Sequence, residues 1–473
     1  MKEFVLINAK IVKPQGIFEG FVVVKDGKIE KIGKGEWDAK KEGGKLAEGF
    51  ETIDVKGKHL LPGLIDVHVH FRTPGMTEKE DWTSGSKAAL AGGVTTVFDM
   101  PNTVPPTTDQ EGLDLKRSIV SEKALVNYGF FGGATKTNLE NLANMNNLVG
   151  IKVYMGSSTG NLLVDDVKTL EALMQSAGED VKKGAAGGSG KFHAHEEHRS
   201  TIHGKILAIH AENEVCIQHG FEEHKGEDDP AVHSKIRAPE CAEQAVKLVL
   251  ELVKKYRAKV HICHASTRAE IDFVRKFKKH HPKEIADLVS VEVTPHHLFM
   301  DDSEYAKQGN VVKVNPPLRS HDDVLALWEG IADGTVTMVA TDHAPHLMAE
   351  KQLSYAQVPS GVPGVQTMLP LLLNAVHEGK LTLEKVVELC SANPAERFGL
   401  EEKGKIENGA DADFTVVDME LHERVCHHFL WTKPHWSPFH NWWLVGWPVM
   451  TFVNGEKMFE WRDTFGKSLG REI

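Results

Sequence analysis

Between residues 59 and 342, short runs rich in Val and Ile alternate with longer stretches whose apolar residues recur at i, i+3 and i+4. Such alternation marks repeated βα units, in which parallel strands are buried on both faces and helices carry the chain from one strand to the next. Candidate strands fall near 63–70, 94–100, 126–131, 149–154, 205–210, 258–264, 288–294 and 336–342. Eight is the number that closes a (β/α)8 barrel, so the expected fold class is α/β with a TIM barrel at its centre. Helical faces are clearest at Ala242–Leu252, Ala269–Phe277 and Asp323–Ile331, and faintest between the third and fourth strands.

The ends follow another rhythm. Apolar and polar residues alternate through Phe4–Ile11, Phe21–Val24 and Ile29–Ile32, the last two runs flanking the turn Lys25-Asp26-Gly27. Short apolar runs at Phe414–Val417 and Val449–Val453, with a turn at Asn454-Gly455, repeat the pattern near the other end. Both ends therefore read as half-buried antiparallel β-structure. A net charge of −12 disfavours a nucleic-acid-binding surface, and the absence of a long apolar run or a signal-peptide pattern makes the cytoplasm the expected location, with no membrane partner. Five scattered cysteines without a C-x-x-C pair fit neither a disulfide framework nor a thiolate zinc site, so any metal should be held by His and carboxylate. One segment interrupts the barrel rhythm: Gly184–Gly190 followed by His193, His195, His198 and His203. It reads as a flexible exposed insertion, because glycine-rich flanks give a ligand cluster no preorganisation.

Catalytic residues of α/β barrels gather at the C-terminal ends of the strands. His68 and His70 close the first strand two residues apart, so they share a face and can share a metal. Lys152, His210, His264 and Asp342 occupy the corresponding ends of strands four, five, six and eight. A free ammonium is a poor metal ligand, but carbamylation by CO2 would turn Lys152 into a carboxylate on a long arm, able to bridge two metals. The set would then be four His, one carbamate and one Asp.

These residues lie within a longer resemblance. The strings Asp66–Gly75 (DVHVHFRTPG), Lys79–Asp81, Gly92–Thr96, Met100–Thr103, Thr294–Leu298, Val314–Arg319 (VNPPLR) and Thr341–His346 (TDHAPH) resemble the dihydroorotase family of the amidohydrolase superfamily across nearly the whole chain. Ser391–Pro394, Gly409–Asp413 and Ser437–Phe439 resemble that family's barrel exit and C-terminal β segment.

The resemblance implies a barrel over 59–399 and a small composite β-sandwich from 1–58 and 400–473. It implies two Zn2+ per subunit, bridged by carbamylated Lys152 and a hydroxide, with His68, His70 and Asp342 on one metal and His210 and His264 on the other. Imidazole and carboxylate ligands suit zinc. Asp342 is the expected catalytic base and acid, and Arg72, Asn102, Asn315 and His346 are the expected substrate residues, three of them for a carboxylate.

The implied reaction is reversible hydrolysis of dihydroorotate to N-carbamoyl-aspartate in pyrimidine (UMP) synthesis. Hydantoinase, dihydropyrimidinase or allantoinase chemistry is the alternative, and a catalytically silent barrel that organises another pyrimidine enzyme is the third reading. A homo-oligomer and an association with aspartate carbamoyltransferase stay open as partners. Thr73 stands where the family carries Glu, Val365-Gln366 replaces its Leu-Glu, and His296 and His297 are expected to support the site rather than ligate.

Overall fold

The computed structural model describes residues 3–38, 50–158, 160, 162–178, 202–461 and 465–473. The chain opens with β1 (Phe4–Lys13), β2 (Gly16–Lys25), β3 (Lys28–Lys34), β4 (Glu51–Asp54) and β5 (His59–Pro62). Eight barrel strands follow: β6 (Leu64–Val69), β7 (Val94–Asp99), β8 (Asn127–Gly133), β9 (Gly150–Tyr154), β10 (Leu207–His210), β11 (Val260–Ile262), β12 (Val289–Val293) and β13 (Met338–Val339). The chain ends with β14 (Phe414–Arg424), β15 (Trp443–Val453) and β16 (Glu456–Glu460).

The barrel strands pair in parallel in sequence order from β6 to β13. Closure comes from a bridge between Val69 and His343, supported by the His70 N–H donating to the His343 carbonyl at 2.8 Å. All of these strands are buried along their whole length, which is why their sequences lack a polar alternation. The helices expected near 242–252, 269–277 and 323–331 run over Pro239–Tyr256, Arg268–His280 and His321–Asp333. The weak third-to-fourth connection holds only the six-residue helix Leu139–Asn144.

Both chain ends build one separate sheet, in the order β16-β15-β14-β5-β1-β2-β3 with β4 beside β1. Its hairpins turn where the sequence suggests. Asp26 and Gly27 have φ of 51° and 79°, and Asn454 and Gly455 have 50° and 77°. Two successive left-handed residues match the right-handed strand twist, and Asp-Gly and Asn-Gly adopt them at least cost. Strand β5 joins the sheet to the barrel, pairing with β14 from Leu60 to Val416 immediately before β6 begins.

The C-terminal segment also reaches over the barrel. Gln366 donates to the Phe429 carbonyl and accepts from the Trp431 N–H, both at 2.8 Å, which accounts for an amide at that position. Of the C-terminal tryptophans, Trp436 and Trp447 are buried in a cluster with Leu371 and Val425, whereas Trp443 is exposed.

The cysteine reading needs correction, since Cys216 and Cys241 are joined by a disulfide with Cα atoms 5.3 Å apart. The helices Glu214–Glu223 and Pro239–Tyr256 bring together two residues whose sequence separation is 25. Closing a loop of this length restricts the unfolded chain, so Cys216→Ser is expected to cost about 3 kcal/mol. Chemical denaturation of the two proteins checks this, and coincident midpoints would refute it. The stretch Gly184–His198 lies outside the described residues, while His203 bonds the Gly178 carbonyl through Nδ1 at 2.8 Å.

Candidate metal centre and anion recess

Strand ends β6, β9, β10 and β11, together with the residues after β13, bring His68, His70, Lys152, His210, His264 and Asp342 to one mouth. Asp342 Oδ1 lies 2.9 Å from His70 Nε2 and 3.3 Å from His68 Nε2. Lys152 Nζ lies 3.4 Å from the same His68 nitrogen and 3.1 Å from Cys263 Sγ. His210 Nδ1 and His264 Nε2 face each other at 3.0 Å, and the His68 and His264 ring centroids are 5.4 Å apart. Two nitrogens bound to one zinc at about 2.0 Å with tetrahedral angles would stand roughly 3.3 Å apart. The observed spacings are close to that.

The outer nitrogens of three rings are engaged by acceptors. His68 Nδ1 meets Glu292 Oε1 at 2.5 Å, His70 Nδ1 meets Asn102 Oδ1 at 2.7 Å, and His210 Nε2 meets Glu212 Oε2 at 2.9 Å. Each acceptor takes the ring proton on its side and leaves the lone pair of the inward nitrogen available, the tautomer that metal ligation requires. His264 keeps one buried ring nitrogen, Nδ1, without a partner. The donor set and its tautomers therefore fit divalent metal.

Electrostatics agree with the geometry. Burial would neutralise Asp342, but His68 and His70 beside it hold the carboxyl well below the usual range. Burial pushes His70 down to about 4. At His68 burial and Lys152 are outweighed by Glu292 and Asp342, which raise the imidazole to about 10 in the metal-free protein, so a metal bound there would displace the proton of the inward nitrogen. Two of these positions sit in left-handed backbone, His264 at φ 35° and Asp342 at 45°, as does nearby Arg72 at 58°. Away from turns built by Asn or Asp, such backbone is costly for a non-glycine residue and is often held in place at functional sites.

Beside this cluster Arg72 is buried, with 2% of its surface exposed. Its Nε donates to the Pro345 carbonyl at 3.3 Å, its Nη2 stands 3.1 Å from His346 Nε2, whose ring proton faces the Ser360 carbonyl at 3.0 Å, and among the described residues it forms no ion pair. Burial lowers His346 to about 3, so it is a neutral neighbour. A buried cation with only neutral partners is costly, and an anion entering the recess would relieve that cost. The carbonyl of His346 is held by Trp436 Nε1 at 2.8 Å. Gly361 has φ 136°, and a Cβ there would stand 2.4 Å from the Ala344 carbonyl and 3.2 Å from His346 Nε2, so the turn behind the recess needs glycine.

Thr73 turns its hydroxyl to the Phe71 carbonyl at 3.1 Å. His297 bonds Thr294 and the Pro316 carbonyl, and neither His296 nor His297 hydrogen-bonds the cluster. Asn315 stands apart and is held by His233 at 2.9 Å.

The sequence reading missed the residues behind the ligands. Glu292 also accepts from His261 Nε2 at 2.8 Å, and Glu212 is clasped by Arg237, whose Nε donates to Oε2 at 3.1 Å. A carboxylate inside a fully buried, Val-rich strand, Val-Ser-Val-Glu-Val, was the available signal for Glu292.

A parallel barrel with a rim of inward-facing imidazoles defines a hydrolase of the metal-dependent (β/α)8 class. Residues 59–458 match the amidohydrolase family. A dihydroorotase of Methanosarcina mazei is 38% identical over 463 residues, covering 96% of this chain and 94% of that one. A dihydroorotase of Pyrococcus furiosus is 35% identical over 472 residues, covering 99% and 96%. Among solved structures, an L-hydantoinase from Arthrobacter aurescens superposes with a TM-score of 0.87 at 26% identity, covering 99% and 98%. The chain belongs to the amidohydrolases and, within them, to the dihydroorotase family.

Proposed function

We propose that the site interconverts dihydroorotate and N-carbamoyl-aspartate in cytoplasmic pyrimidine synthesis, opening and closing a cyclic amide. One observation carries the choice of ring: Arg72 is buried beside the ligand cluster with no acidic ion-pair partner among the described residues, a setting that suits the carboxylate by which dihydroorotate differs from dihydrouracil. In this reading His346 and Asn102 also meet that carboxylate, and Asn315 serves the ring.

In this reading His68, His70 and Asp342 would hold one zinc ion, His210 and His264 would hold a second, and Lys152, as a carbamate, would add a carboxylate ligand to the pair. Bound there, the pair would acidify water towards neutrality and polarise the amide carbonyl. Asp342 accepts the proton released by the attacking water and returns it to the departing ring nitrogen. In the reverse direction it takes the proton from the attacking nitrogen and gives it to the departing hydroxide, which leaves as water. Glu292, Asn102 and Glu212 keep the imidazoles in one tautomer throughout. Ring closure converts a carboxylate into an amide and consumes a proton, so acid favours synthesis and alkali favours hydrolysis. Residues 59–399 form the catalytic unit in this reading, and 1–58 with 400–473 the supporting one.

The test is ring opening by zinc-loaded and chelator-stripped protein on dihydroorotate, dihydrouracil, hydantoin and allantoin. Turnover of dihydroorotate, lost on stripping and restored by zinc, is expected. Preference for an uncharged ring would overturn the substrate assignment, and full activity of stripped protein would overturn the metal reading.

A further inference from the structure

The short helix Val232–Ile236 carries a histidine that no motif pointed to. His233 is buried, with 2% of its surface exposed, and both ring nitrogens are engaged. Its Nε2 lies 2.9 Å from the Val314 carbonyl and 2.9 Å from Asn315 Oδ1, and its Nδ1 lies 2.9 Å from the Tyr355 hydroxyl. A backbone carbonyl can only accept, so the ring proton is on Nε2, and Tyr355 donates to Nδ1. The Asn315 atom facing that proton must then be the amide oxygen. The Asn315 NH2 group is turned the other way.

One helical turn later the same segment reaches the metal side. Arg237 follows His233 by four residues, its N–H donates to the His233 carbonyl at 3.0 Å, and its side chain clasps Glu212, the carboxylate that takes the ring proton of His210. The Cys216–Cys241 disulfide closes the loop that contains both residues.

We infer that His233 is a positioning residue that sets the hydrogen-bonding polarity of Asn315, so that the site offers N–H donors to a carbonyl oxygen of the ring and refuses a ring N–H there. The inference rests on Asn315 meeting the ring, as proposed above. Restoring the opposite polarity would require a buried N–H to face the His233 proton.

The test compares wild-type, His233→Leu, His233→Gln and Asn315→Asp proteins on dihydroorotate, with metal content measured for each. Leu removes the donor, and KM is expected to rise roughly three- to tenfold, the worth of one neutral hydrogen bond, while kcat and metal content hold. Gln supplies an amide donor at a similar reach and is expected to restore KM. Asn315→Asp keeps the shape but turns an acceptor towards the ring, so KM should rise by about tenfold or more. That variant decides the matter if His233→Leu does not fold. An unchanged KM in either would overturn the inference, as would a fall in kcat with metal loss that Gln does not repair. If wild-type protein opens hydantoin but not dihydroorotate, the substrate reading falls, and the KM split on hydantoin still tests His233.

Discussion

Asp342→Asn is expected to lower kcat for dihydroorotate opening by about 10^3-fold or more while leaving the protein folded. A positioned acid–base group contributes 10^2- to 10^4-fold, and here one carboxylate serves both the attacking water and the departing nitrogen. Asn keeps the size of the side chain and tolerates the left-handed backbone that residue 342 adopts at φ 45°. It cannot take a proton at neutral pH. Because Asp342 also lies within 3.3 Å of both His68 and His70, metal content must be measured beside the rate. Loss of turnover with metal retained assigns the proton transfer, and turnover close to wild type would remove Asp342 from the mechanism.

Arg72→Met is expected to separate function from stability in opposite directions. Two charge-assisted bonds to a carboxylate are worth roughly 3–5 kcal/mol together, so kcat/KM for dihydroorotate should fall about 10^2- to 10^4-fold. Activity on an uncharged ring should not fall with it. Burial already pulls the Arg72 guanidinium below its ordinary value, and the polar groups beside it are a neutral imidazole and a carbonyl. Removing such a cation relieves a desolvation cost, so Tm is expected to hold or rise. Rates on charged and uncharged rings, with thermal melts, check both halves. A large fall in Tm, or an unchanged kcat/KM, would mean that Arg72 serves the fold rather than the substrate.

The barrel was legible because burial on both faces leaves its mark in every strand: runs such as Val94–Asp99 and Val289–Val293 carry the signal locally. The hairpins were legible for a local reason too, since Asp26-Gly27 and Asn454-Gly455 favour the required backbone by themselves. Strand-end position marked the six cluster residues, and the family resemblance marked Arg72. What escaped was short or distant. The five-residue helix at Val232 has too few turns to show a period. The disulfide depends on two helix starts meeting, which no spacing of cysteines encodes. Glu292 reaches His68 across 224 residues.

By itself, then, the sequence determined the strand count, the hairpin turns and the roster of inward-pointing groups, because each follows from the period of burial or the backbone preference of a few adjacent residues. Only the tertiary structure decided which nitrogen of each imidazole faces inward, that Arg72 is buried with no acid paired to it among the described residues, and which face Asn315 presents. A proton's position on an imidazole or an amide's orientation is set by the acceptor opposite it, and at His68, His70 and Asn315 that partner comes from another part of the chain.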